Sequence, residues 1–122
     1  MIDFLQGKWL KHPLHPALVH VPTALWPAAF VCDLLSRFTE ENTYMRLASY
    51  AILFGLIVAL LAIPTGYADW IGIRPEKPAW KPGLYHMGLN LVVWTLGAIN
   101  LGLRIGSVQT AASGPKRYSS AK

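Results

Sequence analysis

Three imidazoles and two prolines fall within nine residues, HPLHPALVH from His12 to His20, immediately before and inside an apolar run. Histidine is the side chain that most often ligates metals and moves protons near neutral pH. Ionisable groups kept within apolar runs mark a site by default. A fourth histidine, His86, opens a later apolar run, and Asn90 follows it at i+4, on the same helical face, placed to hydrogen-bond an imidazole or a bound group. Two imidazoles from different helices at one depth, inside an apolar wall, are what axial ligation of a b-type haem requires. Counted from the expected span starts at about 1.5 Å per residue, His20 and His86 lie at nearly equal depth. They form the preferred axial pair, with His15 and Asn90 beside them. A macrocycle needs helices further apart than the roughly 8–10 Å of direct packing, and Pro22 and Pro27 supply a bend that opens such a gap. Trp26 and Trp94, at similar depths, either flank a ring system or fill space.

Two other interpretations use the same residues. His12, His15 and His20 with His86 or Asp69 make a ligand set for zinc or copper through imidazole nitrogen, although the spacing matches no specific zinc or copper pattern. Asp69 also suits orientation of a ligand imidazole from behind. Alternatively the histidines are hydrogen-bonded side chains at a membrane interface and bind nothing.

The elements that must position them follow from composition. The chain has 122 residues, 53% hydrophobic and 14% charged. That is too apolar for an ordinary soluble domain and fits an all-α integral membrane bundle. Prolines 13 and 16 bias His12 and His15 towards extended conformations, so the first helix is expected to begin near Ala17. Three spans are expected, at about 17–36, 47–64 and 84–104, each about long enough to cross hydrocarbon. The short polar connection at 37–46 returns the second span antiparallel to the first. Pro64 and Gly66, in PTGYADW, are expected to end the second span, which carries no ionisable group but Tyr50. The loop IGIRPEKPAWKPG is expected to be ordered by its prolines. Residues 1–11, with Trp9 between Lys8 and Lys11, form an interfacial N-terminal segment, joined by Tyr67, Trp70, Trp80 and Tyr85 in an aromatic belt. Ala98, Gly102 and Gly106 give a small-residue packing spacing. Residues 1–106 thus make the transmembrane domain and 107–122 a polar, basic, mobile tail.

Two crossings separate the first and third spans, so His86 returns to the side of the first histidines. Asp33, near the far end of the first span, is read as an interfacial carboxylate or a partner for Arg37 one turn later. Cys32 lies within a span and excludes a disulfide framework. The net charge is +5. The basic residues form no basic face or nucleic-acid motif, so nucleic acid is not an expected partner and anionic lipid is. Positive charge is nearly balanced between the two sides, which leaves orientation open.

The order HPLHPALVHVP, apolar run to CDLL, PTGYADW, then HMGLN resembles the bacterial membrane family known as domain of unknown function 2231, over about residues 11–105. The matching positions are His12, His15, Pro16, His20, Asp33, Gly66, Asp69, His86 and Asn90. Members usually have four spans, and some are fused to Rieske iron–sulfur domains, so the resemblance implies a small protein of the bacterial inner membrane with redox association. This chain departs in having three spans, which implies a short variant or a fourth helix supplied by a partner. The expected function is a haem- or metal-binding electron-transfer subunit of a larger respiratory or photosynthetic-type complex. The alternative is a cofactor-free structural or assembly subunit docked on such a complex. No activated nucleophile, paired carboxylate or phosphate loop points to catalysis by the chain alone.

Overall fold

The computed structural model describes residues 1–39 and 42–113, with side chains to Ser107. Every long element is a helix. A short helix α1 (Ile2–Leu5) and a single 3-10 turn (Lys8–Leu10) precede α2 (Leu14–Ser36), α3 (Thr43–Ile71) and α4 (Trp80–Ser113). Helices α2, α3 and α4 are long and apolar enough to cross a membrane. The expected three-span, all-α membrane bundle is therefore the fold.

Each helix exceeds its expected span, for a local reason in each case. Helix α2 starts at Leu14 from an extended Pro13 (φ −65°, ψ 125°), not at Ala17, and His15 is already helical. Pro16 falls in the first turn, where no amide has an intrahelical partner, so proline there removes no helical bond. Helix α3 runs through Pro64 and Gly66 to Ile71, with Gly72 beyond it. In an apolar setting a proline is accommodated when neighbours take up the freed polar groups. Helix α4 begins at Trp80 and continues to Ser113, past the expected boundary at 106. Residues 114–122 of the expected tail lie outside the described residues.

The N-terminal segment reverses on two left-handed residues, Gly7 (φ 73°) and Lys11 (φ 56°). Glycine is needed at the first, because a Cβ there would lie 2.5 Å from the His12 carbonyl oxygen. Phe4 stacks on Trp9 at 5.5 Å. Gln6 Nε2 donates to the Ala68 carbonyl at 2.9 Å, which ties the segment to the end of α3. Lys8, bonded to Asp3, holds that carboxyl below its ordinary range.

Helix α3 is the centre of the bundle: α2 and α4 both pack against it, while the α2 and α4 backbones come close at few points. The core is built from Ala29, Ala48, Ile52 and Leu56, with Trp26, Trp94, Ala98 and Leu101 against it. Small residues set this closeness. A Cβ at Gly55 would collide with the Trp26 indole, and one at Gly97 would press Leu56 at 3.1 Å. Of the expected small-residue stripe, Ala98 packs at the core, whereas Gly102 faces open space. Gly55→Ala is expected to destabilise the α2–α3 pair by about 1–3 kcal/mol, because the indole must leave its rotamer. Thermal unfolding in detergent reads this, and an unchanged midpoint would show that Trp26 has room to yield.

Around the α3–α4 connection, on the histidine side, Trp70 and Trp80 hold α3 to the start of α4. Their rings lie 5.1 Å apart and Trp70 Nε1 donates to the Trp80 carbonyl at 3.0 Å. With Tyr67 6.2 Å from Trp70, three of the aromatics expected in the belt gather at this end of the bundle.

Candidate functional site

Pro64 sits where α3 passes the start of α2. Thr65, 2% exposed, donates its hydroxyl to the Ala62 carbonyl at 2.7 Å. The same carbonyl accepts from His15 Nδ1 at 3.0 Å, and Thr65 Oγ1 lies 3.3 Å from that nitrogen. The contact is possible because residue 66 is glycine: a Cβ there would stand 2.6 Å from His15 Cε1 and 2.9 Å from Nδ1. A carbonyl oxygen can only accept, so Nδ1 carries the proton and the Nε2 lone pair of His15 is left for another partner.

That imidazole meets the one on α4. The His15 and His86 rings lie 6.3 Å apart between centroids, with planes at 87°. Both line a cavity of about 410 Å³ between α2 and α4, floored by Ala59, Ala62 and Gly66 of α3 and bounded at its other end by Trp26 and Trp94. Thr23 and Asn90 also reach it. The Trp94 indole is fixed by donation to the Leu56 carbonyl at 3.1 Å. Trp26 Nε1 is buried without a partner.

The expected pair of His20 with His86 is replaced by His15 with His86. His20 lies five residues beyond His15, about 140° round the helix. It is exposed, outside the cavity, with Nδ1 donated to the Pro16 carbonyl one turn earlier. His12 is exposed, before the helix begins. Asp69 is half-buried and does not line the cavity, and the group that orients His15 is the Ala62 carbonyl. Asn90 Nδ2 donates to the His86 backbone carbonyl at 2.7 Å, not to its ring. Among the described residues no group of three or more His, Cys, Asp or Glu side chains is placed to hold a metal ion. Asp33 is also placed differently from expectation. Arg104 of α4 grips it with both guanidinium ends, one of them Nη1 to Oδ1 at 2.9 Å. Arg104 Nε donates to Asn100 Oδ1 at 2.6 Å.

One signal for this pairing lies in the sequence. His15 to Asp33 and His86 to Arg104 are each 18 residues (15 to 33, 86 to 104). That is about five turns, so each helix carries both of its residues on one face, roughly 27 Å apart. Two crossings make α2 and α4 parallel, so the two pairs face each other at matching levels near opposite ends of the helices.

The fold and site together define a three-helix integral membrane protein with a histidine-lined cavity between its first and third spans. The family model described as predicted membrane protein (DUF2231) matches residues 11–117. The chain belongs to that family, and the match takes in all four histidines and both helices that carry the facing pair. No curated protein and no solved structure matches it.

Proposed function

We propose that the chain binds a b-type haem between His15 and His86 and serves electron transfer within a larger respiratory or photosynthetic-type complex of the bacterial inner membrane. The arrangement of the two imidazoles carries this reading. Ligands bound through ring nitrogen at about 2 Å on opposite sides of one metal have ring centroids about 6 Å apart, and these stand at 6.3 Å. A ligating histidine normally donates its other N–H to a carbonyl or carboxylate, which His15 does with Ala62. Helices that each supply an axial ligand must stand apart to admit a macrocycle, and the α2 and α4 backbones come close at few points. The cavity is of the order found for small cofactors, roughly 300–1,000 Å³, and its apolar walls suit a porphyrin. When bound, the haem supplies one-electron exchange at a potential set by its ligands and burial. A single centre near one side carries an electron only part of the way across a bilayer, which is why the reading includes partner redox proteins.

The test is an optical spectrum of the protein purified in mild detergent, oxidised and then reduced, with metal analysis of the same sample. Sharp difference bands with near-stoichiometric iron are expected. Zinc or copper without such bands would move the site to simple metal ligation. A flat spectrum without metal, from folded protein that has kept its partners, would sink the reading and leave a cofactor-free docking subunit.

A further inference from the structure

We infer that the Asp33–Arg104 ion pair is a register lock, a positioning pair that fixes how α2 and α4 face each other and so sets the alignment of His15 and His86 at the other end of the bundle. The backbones of the two helices come close at few points. Each rests on α3, α4 through the Trp94 bond to the Leu56 carbonyl among others, so packing sets the relation of α2 to α4 only through a third helix. The ion pair joins the two directly. Arg104 holds both carboxylate oxygens of Asp33 in a planar fork, a geometry that fixes angle as well as distance. Asn100, one turn earlier on α4, braces the guanidinium through Nε.

Only one register satisfies the pair. Asp33 is the sole acid in α2, and α4 carries no acid between Trp80 and Ser107. Slipping α4 by a single residue displaces Arg104 by about 1.5 Å along the axis and about 100° around it, which breaks the fork. Arg37, one turn beyond Asp33, belongs to the end of the same helix and cannot stand in for Arg104 in fixing α4. Fixing register is the best-attested use of a partly buried ionic pair, and it holds even where such a pair adds little stability. The equal 18-residue spacing on the two helices then carries the alignment through: when Arg104 faces Asp33, His86 faces His15. Between the two pairs runs a seam occupied by Trp26, which lines both the histidine cavity and a second one of about 320 Å³ beside the ion pair.

The lock is a statement about helix geometry, and only its link to a cofactor rests on the function proposed above. The test therefore needs no cofactor. In the full chain with Cys32→Ala, spin labels on Ala17 of α2 and Leu89 of α4, both exposed and outside the cavity, report the separation at the histidine end. Asp33→Asn and Arg104→Gln are each expected to broaden that distance distribution or shift its mean by more than about 2 Å, beyond the usual small helix adjustments. The charge-swapped pair, Asp33→Arg with Arg104→Asp, is expected to restore it. A merely stabilising ion pair would leave the label distance unchanged in folded single variants, and that result overturns the lock. Should the single variants fail to fold, the swapped protein decides: recovery of the native distance upholds the lock, and failure to recover it overturns it.

Discussion

His15→Ala and His86→Ala are each expected to abolish the bis-imidazole haem spectrum, while His20→Ala leaves it intact and His12→Ala weakens it at most. The ranking follows from which rings share the cavity. His15 and His86 stand 6.3 Å apart across it, and His20 is exposed on another face of α2. Were haem held as proposed, loss of either imidazole would remove one of the two residues that would hold it, and the difference bands would be lost even if some haem were retained. Because His15 is also bonded to Ala62, His15→Gln separates ligation from packing: it can keep a hydrogen bond in that position but cannot supply an imidazole. Retention of bands in either alanine variant, or their loss in His20→Ala, would remove the proposed pair.

Gly66→Ala is expected to act almost as severely without touching a ligand atom. The added methyl would stand 2.6 Å from His15 Cε1, well inside contact distance. The α3 backbone is held between two helices, so the imidazole must move off Ala62 and Thr65. The cost is about 1–3 kcal/mol of stability for an overpacked contact. Haem affinity is expected to fall about 10–100-fold, as when an orienting partner of a ligand is lost. The double variant Gly66→Ala/His15→Ala should unfold no more readily than His15→Ala, because removing the ring removes the clash. Strict additivity of the two losses would show that Gly66 serves the helix and not the histidine.

Much of the bundle was legible in hydropathy, since runs of apolar residues long enough to cross hydrocarbon have few alternatives to helix. Their ends were less legible. Hydropathy marks where lipid lies, whereas helices α2 and α3 run on through Leu14 and Ile71 into polar surroundings. Pro16 and Pro64 read as breakers, yet one falls where no amide is needed and α3 runs on through the other to Ile71. The histidine side and the return of His86 to it were correctly read from the number of crossings. Depth counted from the helix starts pairs His20 with His86, each six residues in from Leu14 and Trp80; the ring beside His86 is His15 because α4 begins about five residues earlier than α2 relative to the facing levels. Azimuth carried the missing information: the five-turn spacing to Asp33 and Arg104 puts His15, not His20, on the face that meets α4. The expectation for Asp33, an interfacial carboxylate or a partner for Arg37 one turn later, does not reach Arg104 because pairing across 71 residues has no local trace.

The few close approaches of the α2 and α4 backbones also bear on how the cavity can be filled. An opening between two membrane-spanning helices would face lipid, and an occupant as apolar as the walls would then arrive by lateral diffusion in the plane of the bilayer. Partitioning into the lipid concentrates such a molecule before it meets the protein. Occupancy then follows its mole fraction in the membrane instead of its concentration in water, and extraction into detergent micelles dilutes the ligand as it isolates the protein.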